Sequence, residues 1–373
     1  PPQTLRPGSA VAVGYSGGDL RLGAIGTVAY TDGDAVWAFG HPFEGAGARS
    51  LLLQDAYVFH VVNDPNPDDE SGSYKLSAAG HDLGTLSDDA LDAVVGRVGA
   101  PPPTIPIRVR AHDDDTGKVA ALHVTAADET DVGMPTGTSA LSLVAPIAVL
   151  QAGTTALGAA PGRLTGRMCM TVVLREGNRR ARFCHRYVSG SGGGSFGIDD
   201  PIADQMANDV ANALALIDSY EGRPPHVRRV NVTLHVERGE HRADMIGLRA
   251  PPDVHRGRRV RLRLALQRVR GGRSTRTVTV RLPRHLATGR RPLTLRGGAN
   301  AGGLSTSDIL DLIVGGGGTN SGPNTLGGLV SSIDATGGYD GVTGHLAGQS
   351  FRVLRDPNLL ITGSVTTPVV VRR

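Results

Sequence analysis

Residues 33–50 read GDAVWAFGHPFEGAGARS. The run Ala35-Val36-Trp37-Ala38 has the apolar, partly branched character of a short strand. Gly40-His41-Pro42 then reads as a turn, and Gly45 and Gly47 mark a loop. A histidine at such a corner has two uses. Its imidazole can take a proton from a nucleophile, or its ring can donate to a backbone carbonyl and hold the turn. The choice depends on whether a serine elsewhere in the chain reaches it.

Working outward, the flanks are strand-rich. SAVAVGY, LGAIGTVAYT and DAVWAFG are separated by Ser16-Gly17-Gly18 and Asp32-Gly33-Asp34, and LLLQDAYVFHVV continues the pattern. TIPIRVRAH and KVAALHVTAA form a strand pair joined through Asp113, Asp114 and Asp115. Between these sets, SDDALDAVVGRVG (87–99) predicts a short helix with Ser87 as N-cap and acids in the first turn.

Two cysteines, Cys169 and Cys184, lie in GRMCMTVVLREGNRRARFCHRYV (166–188). If Glu176-Gly177 is the turn, Arg175 faces Asn178 and the same register sets Cys169 opposite Cys184. Met168, Met170, Val172 and Leu174 then share one face with Ala181 and Phe183, while the cysteines share the other with Thr171, Arg180 and Arg182. One register satisfies both the apolar face and the thiol pair, so a cross-strand disulfide is expected. That favours an oxidising compartment, hence export.

DDPIADQMANDVANALALIDSYEG (199–222) predicts one long helix. Asp200 is placed to cap it, Pro201 opens it, and Ile202, Met206, Val210, Leu214 and Ile217 form its apolar stripe. Beyond it the arginine content jumps. Residues 225–296 hold 19 Arg against Glu237, Glu240, Asp244 and Asp253, a formal +15 in a chain of net +4. In VRLRLALQRVR and STRTVTVRLP, Val260, Leu262, Leu264, Leu266, Val278, Val280 and Leu282 point inward, which predicts an Ig-like β-sandwich. The tail is glycine-rich, with short helices expected near 305–314 and 324–334. A final strand in NLLITGSVTTPVVV is expected to dock back on the body.

The stretch LRPGSAVAVGYSGGDLRLGAIGTVAYTDGDAVWAFGHPF resembles the start of the SpoIVB serine peptidase family, whose strand set ends in the same AFGHPF. The likeness runs well through residues 5–112 and more faintly through 160–290. It implies a trypsin-like double β-barrel with His41 as general base and a later serine as nucleophile. The family carries that serine in G-M-S-G-S-P, and this chain departs from it. VGMPTGTSALSL (132–143) has Pro135 in the nucleophile slot and offers Thr136 and Ser139, while VSGSGGGSFG (188–197) offers Ser191 before two glycines. Asp82, Asp113, Asp114, Asp115, Asp128 and Asp131 supply no clear third member.

The expected architecture is therefore mainly β. Residues 1–222 form the peptidase-like barrels, 223–297 an arginine-rich Ig-like sandwich, and 298–373 a glycine-rich segment. The alternate oxygens of Asp64, Asn66, Asp68 and Glu70 suit calcium but lack the central glycine turn, so a solvated loop is the expectation. His60, His81, His112 and His123 lack metal-ligand spacing, and nothing calls for a cofactor. No run of 18 apolar residues and no basic-then-apolar leader is found, so no membrane span is expected. The sandwich has no Phe, Tyr or Trp on which bases would stack, which argues against nucleic acid. Arg261, Arg263, Arg276 and Arg281 instead suit an anionic cell-envelope polymer, read by charge. The functional expectation is an exported bacterial envelope or surface protein on a catalytically degenerate peptidase fold. The alternative is an active serine endopeptidase using His41.

Overall fold

A computed structural model describes residues 1–63, 74–132, 138–158, 162–189, 201–298 and 323–373. The chain is mainly β. Its first unit is a closed six-stranded barrel of β1 (Ala10–Gly14), β3 (Gly23–Asp32), β4 (Ala35–Ala38), β7 (Val94–Val98), β6 (Tyr74–Asp89) and β5 (Gly47–Val62), in that spatial order. β5 closes the ring against β1 through pairs such as Val13↔Leu53. Closure leaves no free edge, and Val11, Val13, Leu51, Leu53 and Leu86 fill the interior.

Residues 87–99 are not helical. β6 runs on to Asp89, a turn bonds Ala90 N–H to the Ala93 carbonyl, and β7 returns. Period-two burial of Leu86, Val94 and Gly96 against the barrel overrides the capping signal at Ser87, whose hydroxyl instead faces the Val95 carbonyl at 3.4 Å.

The second unit is a six-stranded sheet rather than a second closed barrel. It is ordered β11 (Arg180–Val188), β10 (Leu164–Leu174), β12 (Val227–Arg238), β8 (Thr104–Asp113), β9 (Val119–Ala127) and β2 (Ser16–Gly18). The β10–β11 hairpin has the expected register, with Cys169 opposite Cys184 and the two joined as a disulfide. Met168, Met170, Val172, Leu174, Ala181 and Phe183 are all buried on the other face.

Two long helices cover that apolar face, where the sequence suggested one. α2 (Pro201–Asp218) is the expected helix, with Ile202, Met206, Val210 and Leu214 buried. Its cap position, Asp200, lies outside the described residues. α1 (Ala140–Leu157) has no clear amphipathic stripe because its less buried row, Leu143, Ile147, Gln151 and Thr155, itself begins with two apolar residues. It is the one helix among the described residues long and apolar enough to cross a membrane, and 72% of it is buried inside the protein. A third helix, α3 (Leu326–Asp334), packs Leu329 and Ile333 into the same core. The segment near 305–314 lies outside the described residues.

The arginine-rich strands form two further sheets. One is ordered β16 (Arg273–Arg281), β15 (Arg259–Arg268), β13 (Arg242–Arg249) and β20 (Leu360–Thr362). The other is β14 (Asp253–His255), β21 (Ser364–Arg372), β17 (Gly289–Arg296), β18 (Val342–Leu346) and β19 (Gln349–Leu354). They share one apolar core, in which Leu262, Leu264 and Leu266 of β15 meet Leu293, Val342, Ile361 and Val369. The final strand, β21, pairs with β17 and β14 of these sheets, and the adjoining β20 pairs with β13.

Candidate functional site

The His41 loop leaves the barrel at the end of β4. Phe39 (φ 75°) and Gly40 (φ 77°) are both left-handed, which reverses the chain within two residues. Phe39 packs against Gly26 of β3, where an added Cβ would overlap the ring. Beyond Pro42 the loop is pinned by the buried carboxylate of Asp89, which accepts from the N–H groups of Phe43 (2.7 Å), Glu44 (2.7 Å) and Ala46 (3.3 Å).

Beneath the loop is a charged fastener that no local sequence pattern locates. Arg49, at the head of β5, is fully buried between Glu44 and Glu129, with Nε 2.6 Å from Glu129 Oε1. Tyr15 donates its hydroxyl to Glu44 and packs its ring, tilted, against Phe43 with ring centroids 5.3 Å apart. Burial works to lower the pKa of the guanidinium, but its bonds to Glu129 and Glu44 hold it above the usual arginine value. Burial, reinforced by the Glu44 carboxylate, pushes the Tyr15 phenol far above its ordinary range, so it stays a donor.

His41 itself is exposed. Its Nδ1 lies 2.7 Å from the Pro42 carbonyl, which can only accept, so the proton is on Nδ1 and Nε2 is left as the acceptor of the neutral ring. The ring rests beside Phe39, with centroids 5.7 Å apart. No hydrogen bond joins it to a serine among the described residues.

Ser139 is engaged elsewhere. It is the N-cap of α1, where its Oγ accepts from the Ser142 N–H at 3.2 Å, and its own N–H donates to Asp218 at the end of α2. Burial raises the Asp218 carboxyl, opposed by its bonds from Ser142 and Ser139. This capped corner lines a pocket with Glu129, Thr130, Tyr220 and Pro225. Thr136, Pro135 and Ser191 lie outside the described residues, as do Asp64, Asn66, Asp68 and Glu70.

The candidate third members are scattered. Asp82 accepts from Gln54 Nε2, Asp113 closes the β8–β9 turn, Asp128 accepts from Thr130, and Asp131 faces His226. Of the other histidines, His81 faces Asp55, and His112 stacks on His235 with ring centroids 4.6 Å apart.

The four arginines singled out in the basic segment do not share one face. Arg261 and Arg263 stand opposite Thr279 and Thr277, and Arg281 stands opposite Arg259 on the same side. Arg276 pairs with Leu264, on the core-facing row, and reaches over to Asp356 at 3.1 Å. Arg249 completes the outward face through its pairing with Arg263.

Compared with known protein families, with curated proteins and with solved structures, the chain matches none.

Proposed function

We propose that the protein is an exported bacterial chain of SpoIVB peptidase-like ancestry that works by binding rather than by peptide hydrolysis. In this reading the closed barrel corresponds to the first barrel of a trypsin-like fold, and the two arginine-rich sheets correspond to an Ig-like module. The observation that carries it is the engagement of Ser139. Its hydroxyl caps α1 and its amide is tied to Asp218, and no hydrogen bond joins His41 to a serine among the described residues. A serine hydroxyl is a weak nucleophile unless an imidazole takes its proton, and Ser139 has no such partner among the described residues.

The disulfide supports an oxidising compartment. The outward face of Arg249, Arg259, Arg261, Arg263 and Arg281 supports an anionic envelope polymer as partner, held by charge. The test is fluorophosphonate labelling of the intact chain across about pH 5 to 9, a range spanning the imidazole titration. No labelling is expected at any pH. Labelling that maps to Ser191 or Ser139 and disappears in His41→Ala would replace this reading with a serine endopeptidase.

A further inference from the structure

Three arginines meet in a pocket on the opposite side of the molecule's second sheet from its helices. β12 joins that sheet with a register shift. Val173 of β10 pairs with Arg229, but Leu174 pairs with Val227, so Arg228 is the extra residue of a β-bulge. Strict alternation from Val230 would send Arg228 inward and Val227 outward. The bulge reverses both, so that Val227 is buried and Arg228 is exposed beside Arg229.

On the neighbouring strand, the parallel ladder starts at Ile107↔Val230, directly after Pro106, which has no N–H to offer. Arg108 pairs with Asn231 one step further on. Among the described residues, Pro106, Arg108, Arg228, Arg229 and Asn231 line the resulting pocket, and none of them is acidic. Arg110 extends the same face along β8, opposite Thr233.

Many surface arginines lack a carboxylate partner among the described residues, Arg249, Arg259, Arg261, Arg263 and Arg281 included. What sets this site apart is that three of them line one pocket with no acidic residue in its lining. Arg97, Arg163, Arg238, Arg276, Arg355 and Arg372 each reach a carboxylate. Arg108, Arg228 and Arg229 make no such pair among the described residues. Gathering like charges around one hollow costs free energy unless an anion occupies it.

We propose that this pocket binds a phosphate group. Guanidinium forks meet oxyanions two oxygens at a time. A planar carboxylate is saturated by forks lying in its own plane, whereas three arginines arriving from two strands and a bulge suit the several faces of a tetrahedral anion. Asn231 adds a neutral amide donor between them. The site is separate from the arginine face of β15 and β16, and the proposal does not depend on the peptidase reading. The free ion and a phosphate unit of a polymer present this same oxyanion, and titration with each tells them apart.

The test is calorimetric titration of the full chain, in phosphate-free buffer, with inorganic phosphate, with linear polyphosphate and with acetate. Saturable phosphate binding is expected, with acetate weaker by about tenfold or more and affinity falling as salt rises. Polyphosphate binding more tightly, with a steeper salt dependence, assigns a polymer; equal affinity per site assigns the free ion. Asn231→Asp, which places a carboxylate in the hollow, and Arg229→Ala should each weaken binding by about tenfold or more. Arg6→Ala, at an exposed position ahead of β1, should leave inorganic phosphate binding unchanged. Thermal unfolding of all variants reports whether the fold is intact. Phosphate binding that survives both Asn231→Asp and Arg229→Ala in folded protein, or acetate binding as tight as phosphate, would overturn the proposal.

Discussion

The loop carrying His41 and the bulge carrying Arg228 and Arg229 are both irregularities in β-structure, yet they use charge in opposite ways. Under the loop, Asp89, Arg49 and Glu129 are buried; Asp89 accepts from the loop's own amides, and Arg49 ties β5 of the barrel to Glu129, just past β9 of the second sheet. At the bulge, the guanidiniums face solvent with no carboxylate lining their pocket. A charge enclosed by partners holds a fold together, whereas a charge left unmatched at the surface is available to a ligand. The AFGHPF loop is thus dominated by fasteners, and the less conspicuous bulge has the features of a binding surface.

The largest effect expected from this contrast is at Arg49. Arg49→Met would leave Glu129 and Glu44 as unpaired carboxylates, one of them enclosed, and breaking a buried pair in this way costs about 3–5 kcal/mol. Chemical denaturation of the variant beside Arg228→Ala measures the difference. The exposed arginine should stay within about 0.5 kcal/mol of the parent. Equal destabilisation by the two would break the comparison.

Next comes the disulfide between Cys169 and Cys184, which closes a loop of 15 residues in the same sheet as the bulge. Changing both cysteines to serine should remove about 3 kcal/mol by freeing the unfolded chain. The untreated protein should show no reactive thiols when denatured without reductant. This pairing was legible in the sequence because one local register satisfied the thiols and the apolar face together.

Other elements were not legible, for identifiable reasons. The helix expected at Ser87 rested on local capping chemistry, and the barrel's demand for alternation at Leu86 and Val94 prevailed. α1 went unread because its outer row carries Leu143 and Ile147 as well as Gln151 and Thr155, which blurs the stripe by which amphipathic helices are recognised. The Arg49–Glu129 pair spans 80 residues, so no local pattern announces it. The bulge at Arg228 was hidden in a run of adjacent arginines, because only the register against β10 shows which one is displaced.

A third, smaller effect sharpens the boundary between pinned and free residues. His226 stands just ahead of β12, two residues before Arg228, and bonds Glu176 at 2.9 Å and Asp131 at 3.2 Å. Its bond to Glu176, then that to Asp131, raises its pKa above the usual histidine value. Protons are therefore held more tightly in the folded state than in the unfolded one. The stabilisation is fully present below about pH 6.5 and is lost as pH rises through the folded-state value. His226→Gln should flatten that part of the stability profile in denaturation series taken at successive pH values. An unchanged slope would show that His226 is not a fastener.

The smallest effect is expected at His41, despite its prominence in the sequence. The ring is exposed and its hydrogen bond runs only to the adjacent Pro42 carbonyl. The loop's course is held by Gly40, by Phe39 against Gly26, and by the three amides on Asp89. His41→Ala should therefore change stability by no more than about 0.5 kcal/mol, the usual range for a surface substitution. Asp89→Ala, which strands three loop amides, should cost about 1–3 kcal/mol. Denaturation midpoints of the two variants at one pH test this directly. If His41→Ala proved the more damaging, the imidazole would have a buried partner that the loop geometry does not display, and the division between fastened and free charge would have to be redrawn around it.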